Sequence, residues 1–406
     1  MKLADYEPIV GPNIIEELKS LARRLKGKLV RNINSTAVGG GVAEILMRLV
    51  PLLNELGLDV RWDVIKGEER FFSITKKFHN MLHGKKVKLL PNEIELFLKN
   101  GEDNLKNMDL SGDILFIHDP QPIVLVKKKQ FQKKSKWLWR CHIDVTEPNE
   151  QIWSFLKTFI EQYDASVFSS PNFAQQLKIR QFLIAPSIDP LSDKNKDLSQ
   201  NEIADVLNRL KIAADKPIIT QVSRFDYLKD PLGVIDVYRL VKKYTDCQLI
   251  LAGGTATDDP ESALVLNKVT EKAQGDPDIH ILALPPTSDI EINALQRAST
   301  VILQKSVREG FALTVTEALW KAKPVVASAV GGIPLQIKHE FSGLLSRTTE
   351  GTAYWVKQLL NSPDYAQNLG RVGKEHVRQN FLLTRHLREY LLLFLALYHH
   401  SDIVNI

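Results

Sequence analysis

Apolar residues occur along this chain in short runs, separated by longer stretches in which they recur every three or four positions. The short runs read as strands. In the first half they are 28–35 (KLVRNINS), 59–65 (DVRWDVI), 113–118 (DILFIH), 137–143 (WLWRCHI), 165–170 (ASVFSS) and 182–187 (FLIAPS). In the second half they are 217–223 (PIITQVS), 248–254 (QLILAGG), 279–284 (IHILAL), 300–306 (TVILQKS) and 324–330 (PVVASAV). Segments between them, such as GVAEILMRLVPLLNELG and PLGVIDVYRLVKKY, carry the period of an amphipathic helix. Strands alternating with helices predict parallel sheets covered on both faces. The expected fold class is α/β, with two Rossmann-like, doubly wound domains facing a cleft and a C-terminal helix.

The alternation breaks once. Residues 186–216 (PSIDPLSDKNKDLSQNEIADVLNRLKIAADK) are polar and helical, with no strand. Ser199 and Glu202 have the spacing of a capping box. This places a domain boundary near residue 190. The expected domains are 1–190, binding acceptor, and 191–380, binding a nucleotide sugar, with 381–406 as a helix on a domain face. That last helix contains the apolar run YLLLFLALY (390–398). It is expected to be buried; a partner-binding or membrane-surface helix is the alternative. Ligands of doubly wound sheets bind beyond the carboxyl ends of the strands. No internal repeat or low-complexity segment is evident.

Composition narrows the class. The chain has 406 residues, 44% hydrophobic and 25% charged, as in globular proteins of more than one domain. A net charge of +5 is too weak and too dispersed to argue for nucleic acid, and it suits an anionic small molecule. The run KKKQFQKKSK (127–136) is expected to be a solvated loop or helix end, with an anionic surface as the alternative contact. Two distant cysteines, Cys141 and Cys247, suggest reduced thiols, with no disulfide frame and no zinc site. The N-terminus lacks the apolar core of a signal peptide. The longest apolar run is far short of the ~20 residues a bilayer requires. A cytoplasmic protein is expected.

Four stretches could carry chemistry. In REGFALTVTEALWKA, Glu309 and Glu317 lie at and within the start of a helix that follows a strand. Eight helical residues cover about 12 Å and return to within roughly 80° of the same face. The two carboxylates could reach separate hydroxyl-bearing parts of one ligand, with the helix N-terminus between them favouring an anion. Two solvated glutamates are the plainer explanation. In SRFDYLKDPLG, Arg224 and Lys229 follow the first strand of the second half, where a fork and a point charge would suit a diphosphate. Asp226 lies between them, so a local salt bridge competes. In NSTAVGGGVAEIL, Gly39, Gly40 and Gly41 join a strand to a helix, which permits close approach to a ligand or merely a tight turn. Finally, FIHDPQP and WRCHIDVTEPN put His118, Asp119, Gln121, His142 and Asp144 at the ends of two strands. Hydrogen bonding to sugar hydroxyls is the favoured functional reading. Metal ligation and structural histidines remain open.

Together these stretches resemble the retaining family 4 glycosyltransferases, which have the two-domain GT-B fold. EGFALTVTEALW is similar to their E-x7-E element, SRFDYLKD to their Arg-x4-Lys diphosphate element, and VGGGVAEIL to their N-terminal glycine loop. The resemblance spans nearly the whole chain. It implies that Glu309 holds donor glucose hydroxyls and Glu317 the ribose. Arg224 and Lys229 would grip the diphosphate, with backbone amides near Leu313 and Thr314. Gly40 and Gly41 would lie beside the donor. Glu309, His142, Arg224 and Lys229 form the implied catalytic set, and His118, Asp119, Gln121 and Asp144 the acceptor side. His142 matches the family's sugar-facing histidine, although His118 also ends a strand. One departure is Ala312, where the family usually has glycine; it should be tolerated if it keeps helical angles.

The stretches RWDVIKGEERFFSITKKFHN and PSIDPLSDKN resemble one branch of that family closely. That branch joins a nucleotide-activated glucose to free glucose, giving α,α-trehalose with retention. The alternatives are a retaining phosphorylase using inorganic phosphate, and a catalytically silent nucleotide-sugar-binding protein. The resemblance implies no cofactor and no metal beyond the donor, a nucleoside diphosphate glucose. Expected partners are small-molecule sugars, with no nucleic acid and no membrane span; a homodimer stays open.

Overall fold

Parallel strands buried on both faces need apolar side chains in both directions, and the short runs supply them. In the computed structural model, which describes residues 2–38, 41–254 and 260–398, these runs form two six-stranded sheets. The first contains β1 (Leu29–Asn34), β2 (Asp59–Val64), β3 (Ile114–His118), β4 (Lys136–Arg140), β5 (Ala165–Phe168) and β6 (Arg180–Leu183), in the order β2-β1-β3-β4-β5-β6. The second contains β7 (Ile218–Val222), β8 (Gln248–Gly254), β9 (Ile279–Leu284), β10 (Val301–Gln304), β11 (Val325–Ser328) and β12 (Leu344–Ser346), in the order β12-β11-β10-β7-β8-β9. Every pairing within them is parallel. The expected α/β class with two doubly wound sheets is what the chain adopts.

Two strands differ from the pattern. β6 begins at Arg180, ahead of the expected 182–187. β12 is a three-residue edge strand, aligned through Val326↔Leu344 and Ser328↔Ser346, too short to register as a run.

The chain divides into two units, Met1–Ser187 with Leu383–Ile406, and Ile188–Leu382. The core of the first unit is aromatic, with Phe71, Phe78, Phe97, Trp137 and Trp139 at its centre. Phe78 and Phe97 approach to 4.8 Å between ring centroids. The second core is aliphatic, built on Val234, Val237, Leu249, Leu303, Val326 and Val356. Before β7, the expected capping box is present: Ser199 N donates to Glu202 Oε2 at 2.7 Å, and Ser199 Oγ accepts from Glu202 N at 3.3 Å.

The apolar C-terminal helix, Leu383–Ala396, packs as part of the first unit. Its anchor is Arg140 at the end of β4, which is fully buried. Arg140 Nη1 donates to Tyr390 Oη at 2.6 Å and to His386 Nε2 at 3.1 Å, and Nη2 donates to Ile184 O at 3.0 Å. A guanidinium only donates. His386 must therefore be neutral at Nε2, and its Nδ1–H donates to Ser187 Oγ at 2.9 Å. Arg385 adds bonds to the carbonyls of Ala185 and Pro186, and Arg388 one to Glu17. No helix among the described residues is long and apolar enough to cross a membrane. In the lysine-rich run, Lys127 pairs with Glu102 at 3.0 Å and Lys129 with Asp164 at 2.9 Å.

Candidate active site

All strands of a parallel sheet end on the same edge, so the loops after β7, β10 and β11 gather together in the second unit. After β7, Asp226 caps a 3-10 turn, Tyr227–Lys229, by accepting from Leu228 N at 2.7 Å. Asp230 follows in the left-handed region (φ 46°) and caps the helix Pro231–Lys242 through Gly233 N at 3.0 Å. Lys305, immediately after β10, pairs with Asp230. A β-carbon at Gly233 would lie 2.2 Å from Asp230 Oδ2, so a larger residue there would push aside the carboxylate that caps the helix.

This turn carries Lys229 to the loop after β10. Its Nζ donates to Glu309 Oε2 at 2.6 Å, with the two side chains only 18% and 10% exposed. The competing salt bridge to Asp226 is made by Arg224 at 3.3 Å, and Arg224 is largely exposed. Glu309 and Glu317 are both buried, which removes the solvated-glutamate explanation. Ser306 Oγ gives Glu309 Oε2 a second donor at 3.0 Å.

Glu317 lies in the helix Leu313–Trp320, beside a buried lysine. Lys321 Nζ donates to Asn195 Oδ1 at 3.0 Å and to Glu317 O at 3.2 Å. Burial pushes the Lys321 ammonium down to about 7; the Glu317 carboxylate works against that shift, while Arg297 and Lys194 add to it.

The loop before that helix is wedged in place. Gly331 (φ 54°) follows β11, and a β-carbon there would lie 1.6 Å from Glu309 O. Gly332 N donates to Gly310 O at 3.2 Å. Gln336 donates to Phe311 O and accepts from Thr316 Oγ1 at 2.5 Å. Ala312 does not keep right-handed helical angles. It is the helix N-cap at φ 70°, ψ 72°. That conformation crowds a β-carbon against the carbonyl and costs about 1–2 kcal/mol.

In the first unit, β3 and β4 bring two histidines together. His118 Nε2 lies 3.1 Å from Asn32 Oδ1, and His118 Nδ1 lies 3.0 Å from His142 Nε2. An amide oxygen only accepts, so His118 carries its proton on Nε2 and accepts from His142 Nε2–H. Burial holds both imidazoles well below the usual histidine value, and the Arg140 charge lowers both further. Asp119 (φ 65°) accepts from His142 N at 2.8 Å. Burial raises its carboxyl to about 7, while the bond from His142 N and the Arg140 charge pull it down.

Asp144 is buried in a turn, its Oδ1 accepting from Thr146 N at 2.9 Å and Thr146 Oγ1 at 2.7 Å. Gln121 is half-buried, and its Oε1 is a buried acceptor with no donor among the described residues. Gly39 and Gly40 lie outside the described residues, whereas Gly41 opens the helix Gly41–Glu55. Among the described residues no three His, Cys, Asp or Glu side chains cluster as metal ligands do.

The residues expected at the donor end, Arg224, Lys229, Glu309, Leu313 and Thr314, thus share one edge of the second sheet, with Glu317 deeper. The positioning residues Gln221, Gln304, Ser306, Gln336, Gly331 and Gly332 were not anticipated. A signal was available for two of them: PIITQVS and TVILQKS each place a glutamine inside an apolar run at the strand's carboxyl end.

Comparison with known proteins bears on the family and the fold. Residues 32–175 match the family model of the trehalose synthase N-terminal domain, and residues 203–376 that of the glycosyl transferases group 1. The chain is 46% identical over 396 residues to the trehalose synthase of Pyrococcus horikoshii, covering 96% of this chain and 95% of that protein. It is 30% identical to the trehalose phosphorylase of Pleurotus pulmonarius, across 86% of this chain but 54% of that longer protein. The solved trehalose-6-phosphate synthase OtsA superposes with a TM-score of 0.74 at 15% identity, covering 93% of this chain and all of that one, a likeness of fold.

Two outcomes follow from the geometry. His118, His142 and His386 all have lowered values, so each binds fewer protons folded than unfolded. Stability of the first unit is therefore full above the unfolded histidine value of about 6.5 and falls as the pH drops below it, by about 1.4 kcal/mol per pH unit for each histidine. The raised Asp119 acts in the opposite sense and offsets one of the three. Protection factors of the β3 and β4 amides should therefore fall between about pH 6.5 and 5.5. Second, Ala312→Gly should raise stability by about 1 kcal/mol, whereas Gly331→Ala should lower it by about 2–4 kcal/mol, read from urea midpoints.

Proposed function

This chain belongs to the trehalose synthase family of group 1 glycosyl transferases, with the GT-B fold, and from that premise we propose that it makes α,α-trehalose from a nucleoside diphosphate glucose and free glucose. The observation that carries the reading is the Lys229–Glu309 pair, on the same edge of the second sheet as the loop of Arg224 and the start of the helix Leu313–Trp320. An ammonium has three donors. One goes to Glu309, leaving two for diphosphate oxygens. Arg224 adds a fork, and the first-turn N–H groups of the helix favour the same anion. Glu309 Oε2 already has two donors, so Oε1 is the oxygen offered to glucose hydroxyls. Glu317 is assigned to the ribose. The 46% identity to a trehalose synthase supports the choice of product.

The acceptor glucose is assigned to the first unit, at His118, Asp119 and Gln121, and His142, hydrogen-bonded to His118, is assigned to the transferred sugar. Asp144 is the weaker member of that set, because Thr146 occupies one of its oxygens. In the proposed step the bond between the glucose anomeric carbon and the diphosphate oxygen breaks, and the acceptor oxygen bonds to that carbon on the same face. The acceptor's hydroxyl proton passes to the departing phosphate oxygen. Arg224 and Lys229 neutralise the charge that develops there. Read backwards, the same step cleaves trehalose with a nucleoside diphosphate as the attacking group. Cys141 and Cys247 are both buried free thiols, which suits the proposed cytoplasmic setting.

Product analysis tests the reading. With UDP-, ADP- or GDP-glucose and free glucose, at least one donor should yield α,α-trehalose and nucleoside diphosphate in equal amounts. Trehalose incubated with a nucleoside diphosphate should run the reaction backwards. Glucose 1-phosphate formed from trehalose and inorganic phosphate alone would reassign the chain to the phosphorylases. Binding of donor without nucleotide release, whatever the acceptor, would make it a silent binding protein. Lys229→Ala should lower kcat by about 10²–10³, with the folded structure retained by circular dichroism.

A further inference from the structure

β7 and β10 are hydrogen-bonded neighbours, and each carries a buried glutamine at its carboxyl end. Gln221 Oε1 accepts from Lys305 N at 2.8 Å, and its Nε2 donates to Lys229 O at 2.9 Å. It holds the backbone of the ammonium's residue. Gln304 reaches the carboxylate instead. Its Oε1 accepts from Thr314 Oγ1 at 3.0 Å, and its Nε2 donates to Ser306 Oγ at 2.9 Å. Ser306 Oγ then donates to Glu309 Oε2 at 3.0 Å.

The direction of every bond in that chain follows from its end. Glu309 is paired with an ammonium at 2.6 Å, and an ionised carboxylate only accepts. Ser306 has one proton, which it spends on Glu309. It must accept from Gln304, so the amide nitrogen faces Ser306. The amide oxygen is then left for the Thr314 hydroxyl. No member can reverse without setting two donors or two acceptors against each other. Gln304 and Ser306 are each 2% exposed, so water cannot substitute for either bond without rearrangement.

We propose that Ser306 and Gln304 are positioning residues that fix which of the Glu309 oxygens meets the donor sugar, by holding Oε2 from behind. Thr314 anchors the far end of the chain through its side chain, and Gln221 fixes the ammonium opposite. The sugar's place rests on the donor reading above; the hydrogen-bond chain itself does not.

The test measures kcat/KM for the donor, KM for glucose and the affinity for the free nucleoside diphosphate on wild type, Ser306→Ala, Ser306→Thr and Gln304→Met. Ser306→Ala should lose about tenfold or more in donor kcat/KM, with KM for glucose and the affinity for the sugar-free diphosphate unchanged. Gln304→Met should change in the same sense by less. Ser306→Thr keeps the hydroxyl and should track wild type. An unchanged donor kcat/KM in both Ser306→Ala and Gln304→Met, with folded protein, would overturn the proposal. Should Ser306→Ala not fold, Gln304→Met against Ser306→Thr decides alone. Inactive wild type would instead fail the donor reading. The inference is then read from the crystal structure of Ser306→Ala: a Glu309 carboxylate turned from its wild-type orientation supports it, and an unmoved carboxylate overturns it.

Discussion

An ammonium and a carboxylate 2.6 Å apart, both largely removed from water, are the constraint around which the second unit is arranged. Taking two charges out of water is costly, and their attraction repays that only with good geometry and further hydrogen bonds. The sequence supplies both. Lys229 reaches its partner because Asp226 and Asp230 cap two consecutive turns on either side of it. Glu309 is met because Gly331 allows the chain after β11 to press against the Glu309 carbonyl. The residues that surround the pair are small or carry amides and hydroxyls, as a buried polar network requires when every member must find a partner.

A different solution operates in the first unit. Arg140 is buried with an imidazole, a phenol and a carbonyl as acceptors. Burial lowers the tendency of His118, His142 and His386 to take up protons, and the Arg140 charge lowers it further. A neutral His118 can accept from His142, which fixes the second ring. The same guanidinium fastens the C-terminal helix through Tyr390. One buried cation thus both fastens that helix and adds to the effect of burial on the histidines.

The architecture was legible because parallel strands covered on both faces leave continuous apolar runs; β12, with three residues, left none. Lys229 and Glu309 were legible as loop residues beyond strand ends, although their contact across 80 residues of sequence was not. The solvated alternative for Glu309 and Glu317 failed on burial alone. Asp144 looked like a rim carboxylate, but Thr146 two residues on turns it into a local turn, a pattern that short polar side chains adopt readily. Gln304 and Ser306 went unnoticed because a polar residue in an apolar run has no visible partner until the sheet order brings one.

Ala312 shows how these demands conflict. The helix Leu313–Trp320 must begin abruptly after Phe311, whose carbonyl is held by Gln336 and whose ring is buried against Phe381. Only a left-handed residue turns the chain so sharply, and glycine would do it without strain. An alanine there accepts strain in the segment that links Glu309 to the helix N-terminus. Strain of this size persists only where neighbours over-determine the conformation. Here Gly331, Gly332 and Gln336 do so from one side and the Gln304–Thr314 bond from the other. The price is local, and it falls on the loop that joins a carboxylate to an anion-favouring helix end.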